Sequence, residues 1–445
     1  MSDADLIIRG GNVVTSSGAT VADIAIAGGR ITALQPELGL KGADEIDASG
    51  LHVFPGGIDS HVHFNEPGRT AWETIKCGSA ALAAGGYTTF VDMPLNNLPV
   101  TVDSAAFELK LEAANRSSIV DFGLWGGLVP GNLEVLSDLC ERGVTGFKAF
   151  MCPSGIDEFP GCDDSTLLEG MKRIARLGSI LLVHAEDPRT VEAEARKATG
   201  TGARDFVRSR PPEAELEAIS RAVALAAETG CRLHVVHVST ARGAEIINEA
   251  QARGVDVSGE TCPHYLLYVD DDLERLGGLG KCAPPFRTTA DRNGLWTLLI
   301  DGRLAMVVSD HSPSTLDLKQ GDDFFKLWGG ISGCQSTRQL LLAKERLDLP
   351  TIAAVTATNV ARRFELANKG DVSVGFDADL WLVDLAHEDV VRGNDLLYRN
   401  QFSAHEGQPI RGRTVRTIVR GRTVFADGQP VTAAAGRFIR AGERS

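Results

Sequence analysis

A chain of 445 residues with 43% hydrophobic side chains is long enough for a large barrel plus a satellite domain, and apolar enough for a sizeable core. Its net charge of −14 argues against nucleic acid or an anionic membrane as partner. The eight cysteines stand singly, no apolar run nears the ~20 residues that span a bilayer, and Met-Ser-Asp-Ala-Asp is no signal peptide, so a reducing cytoplasm is the expected location.

The first elements are two short β runs, Leu6–Val14 and Asp23–Ile31, broken by Gly-Gly turns that suit a meander. The same texture returns at Asp379–Asp384 and Thr417–Phe425. Neither chain end has enough strands to bury a face alone, so the two are expected to pair into one small β-sandwich. Residues 1–52 and 367–445 would supply its two parts, with 53–366 forming the domain between them.

From about residue 50 to 365, strand and helix alternate. Eight apolar strand candidates cover 53–61, 87–92, 119–125, 144–150, 179–184, 232–238, 255–260 and 304–310. Helical stretches at 71–84, 105–115, 133–142, 167–177, 213–228 and 244–253 separate them, several ending one residue before a glycine. Such alternation argues for a parallel sheet with crossover helices, and eight repeats for a closed (β/α)8 barrel, an α/β architecture. The alternative, an open doubly wound sheet, would gather ligand groups at one switch point instead of around a ring.

Barrel enzymes carry their chemistry at the C-terminal ends of strands. Strand one there ends in His61-Val62-His63, where residues two apart point to one side. Strand four carries Lys148 between Phe147 and Phe150; strands five, six and eight end in His184, His237 and Asp310. Apolar strands ordinarily exclude such residues. One would be noise, but six at the same end of five strands argue for a metal site. Imidazole and carboxylate are normal zinc ligands, and six groups exceed the three that one catalytic zinc takes. They fit two cations sharing a bridging water. A lysine ammonium cannot bind metal, but its amine can react with carbon dioxide to give an anionic carbamate whose two oxygens bridge two ions. The plainer reading of Lys148 is an ion pair with Asp310 or a glutamate.

Other histidines receive plainer readings. His234, three residues before His237, points to the opposite face and is expected to be a hydrogen-bonded packing residue. His264 lies just past strand seven, lining the pocket or supporting a ligand. His311 is expected to be structural, and His52, His387 and His405 to lie outside the site.

With these residues in place, the chain resembles the cyclic-amidohydrolase branch of the amidohydrolase superfamily, which holds dihydroorotases, hydantoinases/dihydropyrimidinases and allantoinases. Within that branch it is most similar to the allantoinases. The phrases that carry the resemblance run from His61-Val-His63-Phe-Asn-Glu-Pro-Gly-Arg69 through Asp92-Met-Pro-Leu-Asn96, Gly146-Phe-Lys148 and Glu260-Thr-Cys-Pro-His264 to Lys281-Cys-Ala-Pro-Pro-Phe-Arg287, Ser309-Asp310-His-Ser-Pro313 and Trp328-Gly-Gly-Ile331. The resemblance implies two divalent metal ions on His61, His63, Lys148, His184, His237 and Asp310, with N6-carboxylysine at Lys148. Zinc is the expected metal, with cobalt, manganese or iron as alternatives. It further implies a small cyclic ureide as substrate, opening of the hydantoin ring of allantoin to allantoate, and a homotetramer. Asp310 is expected to take the proton from water and return it to the leaving nitrogen.

Three departures bear on substrate choice. Asn65 stands where dihydroorotases carry an arginine for the substrate carboxylate, and Pro153 where dihydropyrimidinases carry a tyrosine. Ala283 replaces a serine frequent in allantoinases. Asn96, Cys152, Ala283 and Ser332 are the expected substrate neighbours. Hydantoinase or dihydropyrimidinase activity is the alternative within the class. A non-catalytic scaffold with this fold is the alternative outside it, and the filled ligand positions count against that.

Overall fold

Gly56 and Gly57 mark the point where one sheet hands the chain to another. A Cβ on Gly56 would stand 2.2 Å from the Thr88 side chain, and one on Gly57 2.6 Å from the Tyr87 ring, so only glycine allows this close approach. The Gly56 N–H donates to Asp379 O at 2.8 Å and the Gly57 N–H to Gly86 O at 2.9 Å. The strand expected at 53–61 is therefore two strands in different sheets, β5 (His52–Pro55) and β6 (Gly57–Val62). The computed structural model describes residues 3–431, 434–440 and 442; the other positions within the 1–52 and 367–445 segments lie outside the described residues.

Among the described residues the sandwich sheet has nine strands. β1 (Ala4–Thr15), β2 (Gly18–Ala27) and β3 (Arg30–Gln35) form the antiparallel meander, and β4 (Gly42–Asp47) pairs with β1. β5 runs beside β1 on one side and pairs antiparallel with β15 (Leu380–Val390) on the other, Trp381 facing Phe54. β16 (Pro409–Val419), β17 (Arg422–Ala426) and β18 (Gln429–Pro430) complete it. Both chain ends thus share one sheet, as expected. Ile8, Ile24, Val53, Leu380 and Ile418 cluster in its core.

The eight expected barrel strands are present: β6, β7 (Tyr87–Asp92), β8 (Asp121–Leu124), β10 (Phe147–Phe150), β11 (Ile180–His184), β12 (Arg232–Val235), β13 (Val257–Thr261) and β14 (Met306–Val307). A two-residue β9 (Gly126–Gly127) continues from β8 and pairs with β10. All neighbouring pairs are parallel. A parallel bridge between Val62 and His311 joins first strand to last, so the sheet is a closed (β/α)8 barrel.

Three differences follow from packing. The strands expected at 232–238 and 304–310 end at Val235 and Val307, because the chain turns inward before His237 and Asp310. Helices at Pro188–Ala195 and Ala203–Ser209, between β11 and the helix at Pro212–Thr229, escaped the sequence reading; they are short and mostly solvated. The extended stretch 435–439 leaves the sandwich and lies along β8, with Ile439 N–H donating to Phe122 O at 2.8 Å.

At the N-terminal end of the strands the sandwich is bolted to the barrel by buried charge. Lys369 Nζ donates to Asp121 Oδ2 and Asp379 Oδ2, both at 2.6 Å, and lies 3.0 Å from Asp377 Oδ2. Arg420 pairs with the remaining oxygen of Asp121.

Candidate metal centre

His61, His63, Lys148, His184, His237 and Asp310 all line one cavity of about 470 Å³ at the C-terminal mouth of the barrel. The rings of His61 and His63 lie 5.3 Å apart, those of His61 and His237 5.5 Å, and those of His184 and His237 4.6 Å. Asp310 Oδ1 is 3.2 Å from His61 Nε2 and 3.4 Å from His63 Nε2. His61, His63 and Asp310 present three ligand atoms within 4.8 Å of one another.

The local backbone explains why strands so apolar deliver these groups. His237 and Asp310 adopt positive φ, 40° and 45°, which non-glycine residues take only when surroundings over-determine them. Asp59 supplies part of that constraint: its Oδ1 accepts the N–H groups of His61 and Ser309, each at 3.2 Å. The His63 N–H donates to His311 O at 2.8 Å, and His311 Nδ1 accepts the Gly333 N–H at 3.1 Å, a structural role as expected.

Two buried glutamates orient the imidazoles. Glu260 Oε1 accepts His61 Nδ1–H at 2.6 Å, and its Oε2 lies 3.0 Å from His234 Nε2. Glu186 Oε2 accepts His184 Nε2–H at 2.8 Å and is also held by Arg210. In each case the bonded ring nitrogen fixes the tautomer, so the other nitrogen carries a free lone pair, the usual arrangement behind a metal-binding histidine. Burial would raise both carboxyls, but Arg210 and His184 hold Glu186 low, and His234 and His61 hold Glu260 low. His234 Nδ1 hydrogen-bonds the Ser258 hydroxyl at 2.7 Å, so His234 is hydrogen-bonded packing, as expected, while its Nε2 lies against the glutamate that holds His61.

The donors fit a cationic group. Lys148 Nζ, His63 Nδ1 and His237 Nδ1 are buried and have no hydrogen-bond partner among the described residues. Orphaned buried atoms are rare and ask for a reason, of which a bound ion is one. Burial drives the Lys148 amine down to about 7 and the His63 ring down to about 4, so both favour the neutral, ligating form. Burial would raise the Asp310 carboxyl, yet the facing imidazoles of His61 and His63 hold it well below the usual range. The ion-pair reading of Lys148 fails, because no carboxylate among the described residues lies within bonding distance of Nζ.

Of the expected substrate neighbours, Asn96 and Ala283 line the cavity, as does Pro153. Asn96 has φ 73°, and its Nδ2 lies 3.5 Å from Ser312 Oγ. Cys152 and Ser332 stand off the wall: the Cys152 thiol packs behind His184 and Glu186, and the Ser332 carbonyl accepts the Ser403 hydroxyl. His264 is fully buried near Asp310 with neither ring nitrogen partnered among the described residues, and burial lowers it to about 4. Sequence reasoning passed over Glu186 and Arg210 altogether and gave Glu260 no role. The available signal was an acid at or just beyond an apolar strand end, two residues past a histidine in the case of Glu186.

A closed barrel with ionisable residues converging at its C-terminal mouth, flanked by a two-ended β-sandwich, defines a metal-dependent hydrolase class. The amidohydrolase family model matches residues 52–424, and the chain belongs to the amidohydrolase family. The relatives sharpen this. The chain is 53% identical to an allantoinase of Rubrobacter xylanophilus, over 99% of this chain and 98% of that one. It is 49% identical to an allantoinase of Solibacter usitatus, over 98% and 97%. Among solved structures, the L-hydantoinase (dihydropyrimidinase) from Arthrobacter aurescens matches with TM-score 0.96 at 34% identity, over 99% of this chain and 100% of that one.

Proposed function

We propose that this chain is an allantoinase, which adds water across a ring amide of allantoin and releases allantoate. His61, His63, Lys148, His184, His237 and Asp310 hold two divalent cations in this reading. Zinc suits the ligand types, with cobalt, manganese or iron as alternatives. The observation that carries the metal reading is Lys148, a buried amine lacking a hydrogen-bond partner among the described residues and brought down to about 7. At that value much of the amine is neutral at pH 7 and can attack carbon dioxide. A nitrogen–carbon bond forms, a proton leaves, and N6-carboxylysine results. The allantoin assignment is supported by the relatives just described, which are allantoinases matched along nearly their whole length.

Bound cations supply Lewis acidity, lowering the pKa of water from 15.7 towards about 7 and polarising a carbonyl. The chain's own residues do the rest. Asp310 accepts the proton of the attacking water and passes it to the leaving ring nitrogen. Glu260 and Glu186 keep His61 and His184 in the ligating tautomer. Asn96 and the Ala283 backbone lie where they can orient the ureide.

A cytoplasmic location and a homotetramer belong to the same reading. The eight free cysteines support the first, and no helix among the described residues is long and apolar enough to cross a membrane. Light scattering on the purified protein checks the second.

Hydantoinase or dihydropyrimidinase activity is the second reading, favoured by the TM-score of 0.96 to the L-hydantoinase. The deciding experiment loads the protein with metal and bicarbonate and offers racemic allantoin, hydantoin and dihydrouracil. Allantoate formation with the highest kcat/KM supports the proposal. Preference for hydantoin or dihydrouracil replaces it, and metal-loaded protein inert to all three returns the chain to the scaffold reading.

A further inference from the structure

Four cationic side chains line the cavity: Lys148, Arg210, Lys281 and Lys326. Three have other commitments. Lys148 belongs to the centre itself. Lys281 Nζ donates to Phe325 O at 3.0 Å and to Leu327 O at 2.5 Å, which pins the loop forming one wall. Lys326 is 83% exposed at the rim and pairs with Asp323.

Arg210 differs. It follows the short helix 203–209, with its guanidinium 5.6 Å from the Phe206 ring. Nη1 donates to Glu186, and a further N–H is turned to the Cys152 thiol. A guanidinium has five N–H donors, so these two partners leave donors to spare. The side chain keeps 19% of its surface exposed, and it lines the cavity. Leu95, Phe150 and Pro153 offer no side-chain donor, and donors elsewhere on the wall such as Asn96, Ser154, Ser312 and Trp328 are neutral.

Allantoin differs from hydantoin by a ureido group on C5. That group, –NH–C(=O)–NH2, carries a carbonyl oxygen that can accept N–H donors from the planar guanidinium. We propose that Arg210 is a specificity-determining residue that donates to the exocyclic ureido carbonyl of the substrate, selecting ureido-substituted over alkyl-substituted hydantoins. The assignment rests on the allantoinase reading and deepens it. It also gives a reason for Pro153: with the donor on the Arg210 side, the wall position held by tyrosine in dihydropyrimidinases carries none.

A donor committed to an absent acceptor penalises the alkyl analogue, and a charged hydrogen bond is worth about 1.5–3 kcal/mol, or roughly 10- to 150-fold. The experiment compares kcat/KM for allantoin, 5-propylhydantoin and hydantoin in the wild type and in Arg210→Lys. The lysine keeps a charge for Glu186 but loses the fork. The wild type should prefer allantoin over 5-propylhydantoin by about tenfold or more. Arg210→Lys should abolish that preference, lowering kcat/KM for allantoin by about tenfold more than for hydantoin, whose own loss reports the effect carried through Glu186. Calorimetric binding of the ring-opened products, allantoate against hydantoate, should show the same ordering without turnover. Parallel loss on all three substrates would leave Arg210 only a positioning residue for Glu186 and overturn the proposal. So would a wild type indifferent to the C5 substituent. Metal-loaded wild type that opens hydantoin but not allantoin removes the underlying reading instead, and the Arg210 assignment with it.

Discussion

Lys148 and Lys369 are both almost fully buried, at 1% and 5% exposure, at opposite ends of the same barrel. Their surroundings differ completely. Lys369 sits among three carboxylates, and Arg420 shares the load on Asp121. Lys148 has no hydrogen-bond partner among the described residues, only the Phe150 ring centred 4.9 Å from Nζ, and burial pulls its amine down to about 7. A saturated buried charge holds structure together. A buried amine without a counter-charge is unfavourable by itself, and its persistence points to chemistry that uses it. The barrel therefore has a stability end and a reactive end, and mutations should separate them.

The largest expected effect is at the reactive end. Lys148→Ala should lose bound metal and turnover together while leaving Tm close to wild type, with short carboxylic acids restoring part of the activity. Full metal content by elemental analysis in that variant would break the carbamate bridge. Next, Asp310→Asn should keep the fold and lower kcat by about 10²–10⁴, the usual worth of a general acid/base. Turnover within a few-fold of wild type removes Asp310 from proton transfer. Glu260→Gln, one step further back, should weaken metal affinity by about 10–100-fold in chelator titrations; unchanged affinity would mean that His61 needs no orienting partner.

At the stability end the signs reverse. Lys369→Met strands Asp377 and Asp379 and leaves Asp121 to Arg420, and breaking a buried network typically costs about 3–5 kcal/mol. Its denaturant midpoint should fall, while kcat per folded, metal-loaded chain stays at the wild-type value. A fall in kcat with an unshifted midpoint would undo the division into two ends. The smallest effect concerns acid. His405 is buried against Tyr268, and burial lowers its folded pKa to about 3 against an ordinary 6.5. The unfolded chain then binds the extra proton between those values. His405 therefore costs nothing above pH 6.5 and destabilises progressively as pH drops from 6.5 towards 3. His405→Asn should flatten the decline of Tm between pH 6.5 and 4, and an unchanged slope would assign that decline to other groups.

Much of the reactive end was legible in the sequence. An imidazole or amine at the end of an apolar run is anomalous on its face, and the period of two placed His61 beside His63. Alternation of strand and helix gave the barrel for the same reason. The period of two wrongly set His234 on the face opposite His237, because the chain turns at His237 with positive φ and both reach the barrel interior, His234 through Glu260. The orienting groups were not legible. Glu260 meets His61 across 199 positions, and Arg210 reaches Glu186 from a solvated pair of short helices without strong periodicity. Neither pairing leaves a local trace.

Alone, the sequence determined which residue types end the barrel strands and that both termini carry strands needing partners, because burial and side-chain alternation are properties of short windows. Only the tertiary structure decided that β5 belongs to the sandwich, that His237 and Asp310 turn inward at positive φ, that Arg210 faces the cavity, and that one buried lysine is saturated while another is not. Those outcomes depend on which distant segments meet, and hydrogen-bond partners brought together by chain closure are invisible to any local pattern.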